Sequence, residues 1–363
     1  MRYFAAFFLA LYICAGLLHA QQPQNGQQLS ASEKQHTGKR GTPNPEAYAL
    51  YLKGRSYYDK RTLAGLETAI SYFNQAIAKD PRYAMAYAGL AYSYGRLPDF
   101  GASASENIPK SDAAARKALE LDPTLARPHV TLAANMMAHE WNFAAGMAEF
   151  KKALELDPNN ADAHETYAEN LALIGGREQE ALAEINRAHQ LAPRSPAISA
   201  VEANIDIYAR RFDEAIAVCK RVSKEDPAFA GAHYSLALAY WGKRMYSHVI
   251  EELKAYDQLS GDTQDSEITS AMESGLRSGD WNGALAKGVE AMLRLRKTGY
   301  SAYNIAVMYA AAGHKEQAFQ WLNTALQEHD ENMIALKTDF TLDPIRSDPR
   351  FAELVRKVGL PQP

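Results

Sequence analysis

The chain of 363 residues contains only two cysteines, Cys14 and Cys219. Removal of a leader carrying Cys14 leaves one thiol, so neither a disulfide framework nor a cysteine zinc site is available. Alternating runs rich in valine and threonine are scarce, which argues against sheet. No basic block occurs either: 39 Lys and Arg face 43 Asp and Glu, a net charge of −4, scattered in mixed sign. That pattern is unsuited to a nucleic-acid footprint, and no nucleic-acid partner is expected.

What is present favours helix: 47% apolar residues, much alanine and 20 tyrosines. The first 20 residues, MRYFAAFFLALYICAGLLHA, place Arg2 before an apolar stretch from about Phe4 to Leu18 and end Leu18-His19-Ala20. This is the layout of a cleavable secretory signal. The stretch is short of the roughly 20 residues that span a bilayer, which weighs against the rival reading as an anchor. A lipidated Cys14 would need small residues where Tyr12 and Ile13 stand. Residues 21–45, rich in Gln, Gly, Pro and Ser, read as a disordered linker with Leu29 as its one large aliphatic residue.

From residue 46 a pattern repeats. A small residue, a bulky one four later, a small one three later and a proline five after that recur: Ala69, Phe73, Ala76, Pro81; Ser111, Ala115, Ala118, Pro123; Gly146, Phe150, Ala153, Pro158; Ala181, Ile185, Ala188, Pro193; Ala215, Cys219, Val222, Pro227. Copies without the proline run through Val249, Leu253, Tyr256 and through Ala318, Leu322, Ala325, and a weaker one through Ala284, Gly288, Ala291. A partner pattern precedes them, as in Tyr87, Leu90, Ala91, Tyr94 and His164, Tyr167, Ala168, Leu171. Both spacings place one apolar stripe on a helix. Proline after aspartate, as at Asp80-Pro81, Asp122-Pro123, Asp157-Pro158 and Asp226-Pro227, ends each second helix. Gly176, Gly279 and Gly313 stand where first helices should close in a left-handed residue.

Repeated this often, the spacing resembles the tetratricopeptide repeat family over roughly residues 46–330. The resemblance implies an all-α, right-handed solenoid of about eight antiparallel helix pairs over residues 46–338, closed by a C-terminal capping segment, residues 339–363. Departures are an insertion around Pro98 to Lys110, and Glu202 and Asp206 in place of apolar residues in the fifth copy. Tyr51-Leu52-Lys53-Gly54-Arg55 and Asp343-Pro344-Ile345-Arg346-Ser347-Asp348-Pro349-Arg350-Phe351 are similar to the arrays attached to bacterial winged-helix regulators, nucleotide cyclases and protein kinases. Here a signal occupies the place of such an effector domain, so a scaffold half acting alone outside the cytoplasm is expected. In the last segment Asp348 caps a helix that Pro349 starts and Gly359 stops, with Phe351, Leu354, Val355 and Val358 along one face.

Catalytic constellations are missing. His164-Glu165-Thr166-Tyr167-Ala168 begins like a zinc-protease helix but has Ala168 where the second histidine must stand, and His139-Glu140 fails likewise at Phe143. His129, His164 and His233 share one slot of their repeats, too far apart for shared coordination, and read as packing rings with one hydrogen-bonding edge. Cys219 reads as an inert core thiol. No enzyme activity, cofactor or metal is expected.

The resemblance implies a groove lined by outward positions of the first helices. These are Tyr48, Tyr51, Arg55 and Tyr58; Tyr92; Glu165 and Glu169; Asn204 and Tyr208; Tyr234 and Trp241; Tyr300 and Tyr303. Aromatic rings there would grip a protein or peptide. The rival reading has several of them cover neighbouring helices. Arg55, Arg127 and Asn204 stand too far apart in repeat order for a carboxylate clamp, and Glu165 and Glu169 intervene. A partner with aromatic, aliphatic or basic features is therefore expected, bound by a periplasmic or secreted scaffold. A glycan- or unfolded-segment-binding protein and an unrecognised enzyme or regulator are the alternatives.

Overall fold

Proline and aspartate punctuate the chain as their chemistry requires. In the computed structural model Asp122, Asp157 and Asp226 have extended backbones at the ends of second helices, the conformation a following proline enforces. The carboxylates of Asp80, Asp122 and Asp226 each accept from the backbone N–H two residues on, which locks the turn into the next pair.

The structure describes residues 41–58, 63–100, 102–260, 263–296 and 300–361. The expected signal and linker residues 21–40 lie outside them. Gly41 to Asn44 already belong to the folded part: Thr42 is buried and hydrogen-bonded to Asp80, and Asn44 accepts from the N–H groups of Glu46 and Ala47 to cap the first helix.

The described chain is built of helix pairs. They are α1 (Pro45–Tyr58) with α2 (Leu63–Lys79), α3 (Ala84–Arg96) with α4 (Ala104–Leu121), α5 (Ala126–Ala138) with α6 (Phe143–Leu156), and α7 (Ala161–Ile174) with α8 (Glu178–Leu191). They continue as α9 (Pro196–Tyr208) with α10 (Phe212–Glu225), α11 (Ala230–Gly242) with α12 (Tyr246–Ser260), α13 (Thr263–Ser278) with α14 (Trp281–Leu295), and α15 (Ala302–Ala311) with α16 (Lys315–Gln327). A last helix, α17 (Pro349–Val358), follows two short 3-10 turns. Leu97–Phe100 form a 3-10 turn and residues 104–110 the first turns of α4, so that part of the insertion lengthens a helix.

The described residues form two compact units, one within 41–167 with 184–194, the other of residues 168–183 with those within 195–361. In the first, the small-bulky-small stripes of α2, α4 and α6 are buried, with Phe73 and Phe150 fully enclosed. Gly54 and Gly89 let α1 and α3 close on Phe73, since a Cβ at either would stand 2.6 or 2.5 Å from its ring. In the second unit the same stripes run through Ala215, Cys219 and Val222, then Val249, Leu253 and Tyr256, then Ala318, Leu322 and Ala325, all buried. Asp206, the polar departure on α9, is buried against the Arg211 guanidinium; burial raises its carboxyl and Arg211 opposes that rise.

In five pairs the slot five residues before the second-helix stripe is left-handed whatever residue fills it: Trp141, Gly176, Arg210, Arg244 and Gly313 have φ of 52°, 79°, 63°, 59° and 79°. Gly279 departs from the expectation and keeps an ordinary φ. There Asp280 is extended and caps α14 by accepting from Gly283 N–H at 3.1 Å, while Gly275 packs directly on the Gly283 backbone.

The C-terminal segment does more than cover the last pair. Thr338 Oγ1 donates to the carbonyl of Leu173, 165 residues back, and Arg210 donates to the Thr338 carbonyl and to Asp343. Arg346 holds the intervening turn by donating to the carbonyls of Leu336, Lys337 and Asp339. Asp348 caps α17 with Pro349 in its first turn and Gly359 left-handed at its end, and Arg350 makes a bidentate pair with Glu316 of α16. The aspartate-proline-arginine motif therefore builds a tie across the second unit.

Candidate functional site

The first helices were expected to present tyrosines outward, and most of these rings face inward instead. Tyr51, Tyr234, Trp241 and Tyr303 are 3%, 3%, 7% and 0% exposed. Tyr51 packs on Phe73 and Tyr83, Tyr234 on Tyr256, and the Tyr303 hydroxyl donates to Asp339 at 3.2 Å. Glu165 and Glu169 are buried as well. The reason is crowding: a first helix meets its own second helix, the preceding second helix and the next first helix, so little of its circumference is left for a groove. Arg55, Tyr92 and Asn204 are half-buried, and Asn204 accepts from Ser235 Oγ at 2.9 Å.

In the first unit a different grouping emerges. Arg55 of α1 and Arg127 of α5, two repeats apart in sequence, line the same small cavity together with Tyr51, Tyr58 and Asn160. This corrects the expectation that repeat order keeps the two arginines apart. Stacking of α1, α3 and α5 brings equivalent first-helix positions onto one face, and long guanidinium side chains bridge the remaining distance.

Tyr58 is the centre of the cluster. Its ring lies 4.4 Å from that of Tyr92, with the Arg55 and Arg127 guanidinium carbons 5.4 and 5.6 Å from its centroid. Arg127 also lies 5.8 Å over Tyr92, and Arg96 5.6 Å over the same ring. Arg127 donates to the Tyr58 hydroxyl and, at 3.4 Å, to Asp162; Arg55 donates to the Tyr51 hydroxyl at 3.2 Å. Burial holds the Tyr58 phenol well above its ordinary value, with Arg127 pulling the other way. Guanidinium on aromatic faces is attractive and pre-sets the charged ends. The cavity, about 20 Å³, has room for roughly one water-sized group. It suits the tip of one anionic group better than a whole ligand.

The histidine slots read as packing positions. Nδ1 of His129, His164 and His233 faces a carboxylate oxygen of Glu149, Glu184 and Glu252 on the second helix of the same pair, at 2.5, 2.5 and 2.7 Å. Cys219 is fully buried, and burial pushes its thiol up to about 12. Among the described residues no three His, Cys, Asp or Glu side chains come together as a metal site, and no helix is long and apolar enough to cross a membrane.

A sequence model described as tetratricopeptide repeat matches residues 201–246, which span α9, its partner α10 and α11. Residues 201–246 thus carry a tetratricopeptide-repeat signature, and the stacked helix pairs have the solenoid fold of such repeats. No curated protein matches the chain in sequence. Among solved structures, the human IFIT1 dimer with PPP-AAAA is 18% identical with a TM-score of 0.54, covering 76% of this chain and 73% of that one. An IFIT1 monomeric mutant with Gppp-AAAA reaches a TM-score of 0.59 at 16% identity, over 86% and 71% of the two chains. Yeast Tom70 reaches 0.50 at 15% identity, over 95% and 72%. At such identities the likeness is one of fold. Because a tetratricopeptide fold is described with PPP-AAAA, the architecture gives no support to excluding nucleic acid.

Proposed function

We propose that the protein is an exported tetratricopeptide scaffold that holds a protein or peptide partner, seating an acidic group of that partner between Arg55 and Arg127. The convergence of these two guanidiniums on one cavity, with Asp162 beside Arg127, supports this reading. Tyr58 and Tyr92 hold the arginines in place, so little side-chain freedom is lost on binding. A carboxylate accepts two parallel bonds from a guanidinium, a geometry an ammonium group cannot offer. This acidic preference differs from the aromatic, aliphatic or basic partner expected from the sequence, and Glu165 and Glu169, which favoured a basic one, are buried residues.

Selection of peptides from a random heptapeptide library on the full chain tests the partner class. Enrichment of Asp, Glu or a free C-terminus supports the proposal, and enrichment of basic peptides contradicts it. Export rests on the leader. Fractionation with N-terminal sequencing should find a chain starting near Gln21 in the soluble envelope or medium, whereas intact Met1 in a membrane fraction would point to an anchor.

A further inference from the structure

In the second unit the turns between first and second helices of three successive pairs, together with the C-terminal tie, enclose an open cavity of about 740 Å³. Its walls carry five aromatic rings: Phe212, Trp241, Tyr246, Trp281 and Phe340. Tyr246 stacks on Trp281 at 4.4 Å and 4° between planes, Trp241 meets Trp281 and Phe340 edge-on, and Phe212 meets Phe340 edge-on. Gly242 admits the Phe212 ring, since a Cβ there would stand 2.3 Å from it. The indole Nε1–H of Trp281 is buried with no acceptor among the described residues. Phenylalanine at that place would avoid the buried donor, so stability alone does not account for the choice.

The polar groups at the rim are balanced. Arg210 and Arg244 face Asp280 and Asp343, with the Asn282 amide beside them. Arg210 and Arg244 occupy left-handed slots that favour glycine, so both are kept at a conformational cost. Arg210 is engaged with Asp343; Arg244 and Asn282 are exposed and make no hydrogen bond or ion pair in the described chain. Backbone donors around the cavity are used by the turns themselves, as in Arg211 N–H to Asp206 and Met245 N–H to Tyr240. Recognition there falls to aromatic surface plus side-chain donors and acceptors of no net charge.

We infer that this cavity is a binding site for a neutral oligosaccharide of two or three rings. A sugar ring offers an apolar C–H face to an aromatic wall and an edge of hydroxyls, each both donor and acceptor, to a rim of arginine, aspartate and asparagine. The volume falls within the roughly 300–1,000 Å³ of small-ligand sites. An extended peptide finds no free backbone edge to pair with, and a strongly charged ligand finds no net charge to meet. The inference is independent of the Arg55 and Arg127 reading, which concerns the other unit.

The test titrates the full chain with chitotriose, cellotriose and maltotriose by calorimetry, with indole fluorescence in parallel because Trp241 and Trp281 line the site. At least one trisaccharide is expected to bind, and Tyr246→Ala and Asn282→Ala should each weaken it about tenfold or more. Asn282 is exposed, so its variant keeps the fold, as an unchanged melting curve will show. The inference is overturned if none of the three binds below about 10 mM, if binding is indifferent to both substitutions, or if Tyr246→Ala abolishes capture of a selected heptapeptide instead.

Discussion

The ring of His164 is held at both edges: Nδ1 lies 2.5 Å from Glu184 Oε2 and Nε2 lies 3.1 Å from the carbonyl of Pro158. One residue thus ties the first helix of its pair to the second and to the preceding turn. His129 and His233 make the equivalent carboxylate contact in their own pairs. His164→Ala should therefore destabilise the protein by about 1–3 kcal/mol, since it leaves the Glu184 carboxylate and a carbonyl without a partner. Urea unfolding of wild type and variant reads this directly, and an unchanged midpoint would show the contact to be idle.

Burial makes packing residues of aromatics that were expected to line a groove. Tyr234 and Trp241 are as enclosed as the core residue Leu236, so Tyr234→Ala should cost about 3–5 kcal/mol of stability, in the same range as Leu236→Ala at about 2–5. Thermal melts of the two variants decide it: a Tyr234→Ala protein as stable as wild type would restore the ring to the surface.

Glu331 supplies a pH dependence. Burial, with Asp330 adding to it, pushes its carboxyl from an ordinary 4.5 up to about 7. A carboxyl raised in the folded state binds its proton there more tightly than in the unfolded chain, so its contribution is present below about 4.5 and lost as pH rises through about 7. Glu331→Gln should match wild type near pH 4 and exceed it at pH 8 by on the order of 1–3 kcal/mol. Equal stability of the two proteins at pH 8 would remove this role.

The C-terminal tie makes the end of the chain a structural element of the second unit. Arg346→Ala frees the carbonyls of Leu336, Lys337 and Asp339, and a loss of about 2–4 kcal/mol is expected, roughly 1 or more per released bond. Deleting residues 340–363 should cause aggregation, because Phe351, Leu354 and Val358 cover the last pair. Full solubility and an unchanged melting temperature after the deletion would show the segment to be a mere tail.

Helix pairs were legible because their determinants are local. The stripe through Ala69, Phe73 and Ala76, the aspartate-proline stops and the cap at Asp348 need only a few neighbouring residues to be recognised. The site was legible only in part, because it depends on which faces the stack leaves open. Arg55 was picked out by its helix position, but its approach to Arg127 is a product of stacking that repeat order conceals. Tyr51 and Tyr303 occupy outward-looking register positions and are buried by neighbours distant in sequence. The long reach of Thr338 to Leu173 has no local signature at all, and neither does the aromatic cavity, whose rings come from turns about one repeat length apart and from the C-terminal tie.

The account stands most directly on the two arginines. Calorimetric titration of the full chain with the most enriched acidic heptapeptide, against Arg55→Ala, Arg127→Ala and the double variant, measures their part in holding a partner. The account predicts that each single change weakens binding about tenfold or more, about 1.4 kcal/mol, and that the double variant loses more than either, while the folds remain intact. A folded double variant that binds the peptide as tightly as wild type would contradict it.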